Sequence, residues 1–462
     1  MHRRTLAILA GLGLGAVACK DSTSVTDLNN VSAEALSGGL TKSSTGLLAL
    51  GQLNSTRGDL DSRYIVFSET MARDLYRLDN AENRYVTETI GGPADYSGFL
   101  GGGAFSQFYV TVRAGNTILN ALPTAKDLSA TEASATRGFV RTLNALALYR
   151  ALELRDSLGI AIDVNHAIEE KPADFVCKPN ALASISASLD SAATDLAAGG
   201  SAFPFTLTGG FSSNGKFDTP STFLRINRAL KGKVELYRGL SRQKPNAGSF
   251  ATAITLLTTG IGGTPATAAD LAAGVYNIYS TAAGETRYPV ADANLYLNPQ
   301  VADSIQAGDL RKAKITTVPV KALFGLSSTY KTPLTDPANL TRPAPIMKVT
   351  EMVLLRAQAK IETGDLAGAA ADINIVRTIE GGLAPIATPA TKAAAITAVL
   401  YEKRYSLLAE SAQRLVDLRA YQRLNAANFK KELPGDIFQS TLPIPKRELD
   451  TRGVTSITPT CS

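Results

Sequence analysis

Apolar residues recur at spacings of three and four through most of this chain, the period of a helix with one buried face. Residues 105–122 carry apolar or aromatic side chains at 105, 108, 109, 112, 118, 119 and 122, and Pro123 ends the run. Residues 136–154 repeat the period with Phe139, Leu143, Leu146, Ala147, Tyr149 and Leu152. Residues 180–198 do so with Ile185, Leu189, Ala192, Ala193 and Leu196, and 223–237 and 250–257 form a further pair. A long helical stretch is expected over 393–424. Between about 258 and 345 the period is lost, and Gly, Pro, Thr, Asn and Tyr dominate. That composition predicts long loops with a few short strands, and loops of such length inside a domain carry function or are disordered.

The clearest unit spans 347–377. Its first helix carries Val349, Met352, Leu355, Ala359 and Ile361; Gly364-Asp365 turns the chain; the second carries Leu366, Ala369, Ala370, Ile373 and Val376. Small residues such as Ala359 and Ala370 let the two helices approach closely. The unit resembles a tetratricopeptide helix-turn-helix, which buries its apolar face by stacking on its neighbours.

The first residues follow a different logic. His2, Arg3 and Arg4 precede an uncharged run rich in Leu, Ala and Gly, then Ala16-Val17-Ala18-Cys19. This is the layout of a secretory signal over 1–18, too short to span the bilayer as a helix. Small residues before a cysteine at the cut site resemble the lipoprotein form of that signal, with lipid, a palmitate-type acyl chain, on Cys19; Ala16 stands where Leu is usual. The alternative is ordinary cleavage after Ala18 with an incidental cysteine. The polar stretch that follows, through residue 31, reads as a flexible tether (19–31), leaving 32–462 as a single domain. Gly11-Leu12-Gly13-Leu14-Gly15 lies inside the signal and has no strand before it, so it is no dinucleotide loop.

Composition narrows the chemistry. Without Arg3 and Arg4 the chain has 45 basic and 41 acidic residues, and no basic run argues for nucleic acid. No later apolar stretch reaches the length of a membrane span. With Cys19 lipidated, Cys177 and Cys461 remain, and an oxidising compartment favours a disulfide between them over two separate thiols. The cysteine pattern gives no metal site. One histidine, His166, survives maturation, in the polar loop stretch Asp163-Val164-Asn165-His166; HExxH zinc chemistry is excluded. The run 210–216 ends in Asn214-Gly215-Lys216, close to a phosphate loop, but Phe217 stands where Ser or Thr is needed. Glu402-Lys403-Arg404 with Asp417 and Arg419 reads as a salt-bridged structural network, with a ligand role as the alternative.

The order of the helical blocks resembles the SusD/RagB family of outer-membrane lipoproteins. Phe108-Tyr109-Val110 leading to Ala114-Gly115-Asn116-Thr117-Ile118-Leu119 is similar to that family's aromatic-Tyr…Ala-Asn-x-Ile-Leu helix. Arg137-Gly138-Phe139 through Leu158-Gly159-Ile160-Ala161, the helix around Leu189 to Leu196, Arg228 to Tyr237, and Asp309-Leu310-Arg311 follow in the family's order. The strongest block runs from Pro345 through Arg356-Ala357-Gln358-Ala359 to Val376-Arg377; Glu402-Lys403-Arg404, Asp417-Leu418-Arg419 and Pro443-Ile444-Pro445…Glu448 complete it. Gln358 replaces the usual Glu, Leu158 and Ala161 replace Tyr and Pro, and the chain has no Trp, the ring on which sugar-binding members stack glycans. Tyr offers an apolar face with a polar tip in its place.

The resemblance implies a mainly α fold, with tetratricopeptide-like helix pairs packed against a loop-rich region with a few short strands. It implies a binding protein rather than an enzyme, without cofactor or metal, lipid-anchored to the cell outer membrane and facing outside. Its partners would be an oligosaccharide or peptide and a SusC-like TonB-dependent transporter. The early loop region, which helps form the cargo pocket in the family, makes Asp74, Tyr76, Arg77, Tyr85 and Tyr96 ligand candidates; Tyr288 and Tyr296 in the later loops are second ones. Two other readings stay open: an extracytoplasmic hydrolase, whose carboxylate pair nothing singles out, and a tetratricopeptide-like envelope scaffold.

Overall fold

The computed structural model describes residues 39–59, 62–98, 104–167 and 169–461. The signal, Cys19 and the tether lie outside the described residues.

Helices α1 (Lys42–Asp59), α2 (Ser62–Met71), α3 (Ser106–Ala121), α4 (Ala130–Arg155), α5 (Lys178–Ala197), α6 (Pro220–Gly239), α7 (Gly248–Ile261), α8 (Val349–Glu362), α9 (Leu366–Ile379), α10 (Lys392–Ser406) and α11 (Gln413–Ala420) form the frame. Starting from α1 and α3, each long helix packs on the next: α3 on α4, α4 on α5, α5 on α6, α6 on α7, α7 on α8, α8 on α9, and α9 on α10. This is the stacking of a tetratricopeptide-like array. Local chemistry sets the helix starts. Ser129 and Glu132 make a reciprocal capping box at α4. Thr219 caps α6 with Pro220 at its first position, where a missing N–H costs nothing.

Small residues set the spacing. A Cβ added at Gly138 in α4 would lie 2.6 Å from Leu196 Cγ and 2.8 Å from the Ala192 carbonyl oxygen in α5. At Gly232 in α6 it would meet Leu257 Cγ of α7 at 2.7 Å. A knot of rings, Phe139 with Phe203, Phe205, Phe211 and Phe223, closes the side of α4.

One sequence expectation needs correction, and two helices carried no sequence expectation. The helix expected over 393–424 is broken: α10 ends at Ser406 and α11 begins at Gln413. At the break Ala409 takes φ +56°, and Leu408 and Ala409 bury against Leu75, Leu297 and Val301. Burial in that satellite core overrides the local period. Helices α1 and α2 had no strong signature, because Gly46, Gly51, Gly58 and several Ser and Thr lower the helix propensity of α1. Packing holds it: Gln52 Nε2 donates to Asn144 Oδ1 of α4 at 2.8 Å.

The loop-rich region contributes strands as expected. Four two-stranded antiparallel ladders occur among the described residues. They pair β1 (Leu75–Arg77) with β5 (Leu295–Leu297), β2 (Ile160–Ala161) with β3 (Phe175–Val176), β4 (Gly274–Asn277) with β8 (Ala344–Lys348), and β6 (Thr316–Leu323) with β7 (Leu326–Lys331). Cys177 and Cys461 are joined by a disulfide. Beside it Thr460 bridges to Val176, its N–H donating to the Phe175 carbonyl at 2.9 Å, so the C-terminal segment lies along β3.

Charged residues knit the interior. Lys233 of α6 lies 3.2 Å from Glu153 of α4 and 3.1 Å from Glu351 of α8. Lys403 pairs with Asp417 at 2.7 Å, Arg404 with Asp74 at 2.7 Å, and Glu402 with Arg311 at 2.7 Å and Arg377 at 3.0 Å. Glu402-Lys403-Arg404 thus serves four pairs with four different partners. Gln358 donates to Asp417 at 2.9 Å and accepts from Lys403 at 2.7 Å. A neutral amide suits that place, because Asp417 already balances Lys403. The run 210–216 forms one short turn, Gly209–Ser212, before buried Phe217, with no strand leading into it.

Candidate functional site

The early segment enters the fold as β1. Leu75 and Leu297 stand opposite each other across the β1–β5 ladder and bury in one apolar cluster. Tyr76 and Tyr296 form the next pair, so the two rings share a face. Tyr76 joins Leu78, Val86, Ile90 and Leu326 in a small core, bordered by half-buried Tyr296, Leu323, Phe324 and Leu433.

Four of the seven ligand candidates are buried and engaged by their neighbours. Asp74 is 1% exposed and spends its carboxylate on Arg404, with Arg414 at 3.7 Å. Tyr76 is 4% exposed, and its hydroxyl donates to Glu432 at 2.5 Å; burial and that carboxylate push its pKa up. Tyr85 is 2% exposed against Phe67, and Tyr288 is 5% exposed against Tyr279. Apolar packing claims these rings, a use that a sequence cannot distinguish from ligand stacking. Tyr96 is exposed but stands apart, its carbonyl accepting from the Lys446 N–H at 2.8 Å.

Arg77 and Tyr296 remain, at the rim of the ladder. Arg77 lies over the Tyr85 ring at 4.1 Å and is held by Asp79 at 3.2 Å and Asp292 at 3.0 Å. Lys331, at the end of β7, sits 4.4 Å from the centre of the Tyr296 ring, and its ammonium donates to the Ala293 carbonyl at 2.5 Å. Burial lowers the Lys331 pKa, against the opposing pull of Asp292 and Asp336. The β6–β7 hairpin turns through Phe324 and Gly325, at φ +52° and +84°. Two successive residues at positive φ make the tight turn that follows the strand twist, and the bulky Phe324 is held in a backbone region that ring-bearing residues seldom adopt.

The rim is a half-buried shelf of two cations and two carboxylates beside the Tyr296 ring, linked through Asp292, which pairs with Arg77 and acts on Lys331. It offers charge-assisted hydrogen bonds and an aromatic face, a combination suited to a hydroxylated ligand. Asp292, Phe324 and Lys331 went unnoticed in the sequence; Lys331 follows Tyr330 in an ordinary strand pattern, and only the hairpin register brings it to Tyr296. The described residues contain no cluster of metal-binding side chains, and none of their helices is long and apolar enough to cross a membrane.

No family model matches the chain, and no curated protein matches it in sequence. Solved structures do match. A SusD superfamily protein from Bacteroides vulgatus aligns with TM-score 0.68 at 14% identity, covering 89% of this chain and 97% of that one. NanU of B. fragilis aligns with TM-score 0.68 at 14% identity, covering 92% and 97%. Surface glycan-binding protein A from Bacteroides thetaiotaomicron, solved with laminarihexaose, aligns with TM-score 0.65 at 13% identity, covering 89% and 98%. With its stacked helix pairs and its sparse two-stranded ladders, this chain has the SusD-like fold.

Proposed function

We propose that the protein is a surface nutrient-binding lipoprotein that captures an oligosaccharide and passes it to a SusC-like TonB-dependent outer-membrane transporter, without turnover. The observation that carries this reading is the fold likeness along about nine-tenths of the chain to proteins that include a surface glycan-binding protein solved with a hexasaccharide. The lipoprotein pattern ending in Cys19 supports an anchor.

Within this reading the shelf of Arg77, Tyr296 and Lys331 is the ligand surface. The half-buried Tyr296 ring stands in for the missing tryptophan, and Arg77 and Lys331 donate to sugar hydroxyls. The shelf lends no support to a hydrolase, because Asp79 and Asp292 both pair with Arg77.

The test is affinity purification from envelope extracts, with an oligosaccharide and peptide binding screen on the mature protein. Co-purification of a large β-barrel, binding of an intact oligosaccharide and its loss in Tyr296→Ala are expected. Recovery alone from the inner membrane, or release of cleavage products, would refute the reading. Cys19→Ala is expected to free the protein from the membrane; retained association would mean a different anchor.

A further inference from the structure

A second cleft, of about 620 Å³, opens where the ends of α6 and α11 meet the start of α5 and the Ser440-Thr441 segment. Its volume falls within the roughly 300–1,000 Å³ of small-molecule sites, and none of its lining residues belongs to the shelf. Asp156, Lys178 and Arg419 are its deep charged residues. Lys178 Nζ donates to Asp156 Oδ1 at 2.5 Å, and Arg419 Nη2 lies 3.8 Å from the same oxygen. Arg419 is fastened by two carbonyls, donating to Ser440 at 2.8 Å and Glu153 at 2.6 Å. Arg242 lines the cleft as an exposed third cation.

Three cations therefore face one carboxylate. Lys178 and Arg419 are poorly hydrated, their side chains only 17% and 8% exposed, and Arg242 stands at the exposed mouth. Burial lowers the Lys178 pKa and Arg419 adds to that, with Asp156 acting against them. A site with one more buried cation than carboxylate, and a further arginine at its mouth, gains by taking up an anion. Much of the remaining lining is hydroxyl and amide: Ser157, Gln243, Gln422 and Asn425 each donate and accept. No aromatic ring is among the lining residues, so a ligand here is read by charge and hydrogen bonds and not by stacking.

We propose that this cleft is a separate binding site for a small hydroxylated carboxylate of the acidic-sugar class. Its carboxylate sits on Lys178 and Arg242, and its hydroxyls on the amide and serine side chains. The inference does not depend on the function proposed above, because it rests on the cleft's own charges.

Calorimetric titration of the mature protein with glucuronate and with glucose tests it, the two differing in the carboxylate. Glucuronate is expected to bind, more weakly as salt is raised, and glucose to give no signal. Arg242→Gln, at an exposed position, is expected to weaken binding about tenfold, as loss of a hydrogen bond to a charged group does. Lys178→Gln, with its fold checked by circular dichroism, is expected to weaken it at least as much. Tyr296→Ala on the shelf should leave it unchanged. Absence of glucuronate binding, equal binding of glucose, or indifference to both cleft variants would overturn the proposal. So would tighter binding of an acetylated dipeptide with a free carboxylate than of glucuronate, or loss of binding in Tyr296→Ala.

Discussion

Replacing Lys233 by Met would leave the carboxylates of Glu153 and Glu351 facing each other in the interior. The three side chains are 8%, 2% and 9% exposed, and the ammonium lies 3.2 and 3.1 Å from the two carboxylates. At an effective dielectric of about 20, each contact is worth roughly 5 kcal/mol before solvation is counted. Returning the lysine from a dry site to water recovers several kcal/mol of that sum. The expected net loss is about 3–5 kcal/mol, the usual result of removing one partner from a buried pair. It is a large share of the roughly 5–15 kcal/mol that holds a domain folded. Urea unfolding at neutral pH, followed by circular dichroism, measures it. The triple variant Glu153→Gln, Lys233→Met, Glu351→Gln is expected to recover more than half the loss, since it leaves no buried charge unpaired. The pH dependence has a definite sign. Burial acts to lower the Lys233 pKa, but Glu153 and Glu351 outweigh it and raise the folded value. The lysine's stabilisation is then complete below the unfolded pKa of about 10.4 and lost as pH climbs through the folded one. The gap between parent and Lys233→Met should hold across neutral pH and narrow only above about pH 10.5. A single variant within about 1 kcal/mol of the parent, or a triple no more stable than the single, would refute the reasoning.

Gly138→Ala should destabilise by about 1–3 kcal/mol, because the new methyl meets α5 backbone that cannot move aside; an unchanged melting temperature would contradict the close approach of α4 and α5. Cys461→Ser should cost about 2–5 kcal/mol and increase hydrogen exchange at residues 175–177 and 460; identical unfolding of the parent in reducing and non-reducing buffer would rule out that role for the disulfide. Burial holds the Lys314 pKa down to about 8, with Glu410 opposing and Lys348 reinforcing the shift. Between that value and the unfolded value of about 10.4 the unfolded chain binds more protons, so stability gains with rising pH there. Lys314→Met should lose that increment, and unfolding midpoints measured across the window for both proteins would show a parallel pair if the idea is wrong.

The helical blocks were legible because a buried face repeats every three to four residues within one helix, so Phe139, Leu143 and Leu146, or Leu366, Ala369 and Ile373, announce themselves locally. The loop-rich character of residues 258–345 was legible for the same reason, as the loss of that period. Tertiary structure alone decided what depends on groups far apart in the chain. Tyr76 meets Tyr296, Lys233 meets Glu153 and Glu351, and Asp156 meets Arg419. None of these pairings leaves a trace in its neighbours along the chain. The same holds for Asp74, Tyr76, Tyr85 and Tyr288: their residue types suit ligand contact and core packing equally, and only their burial separates the two. The break at Ala409 shows the balance of terms. A helical period lowers the local free energy by tenths of a kcal/mol per residue, whereas burying a side chain such as Leu408 contributes about 1.5–3 kcal/mol, so where the two disagree the long-range contact sets the course of the chain.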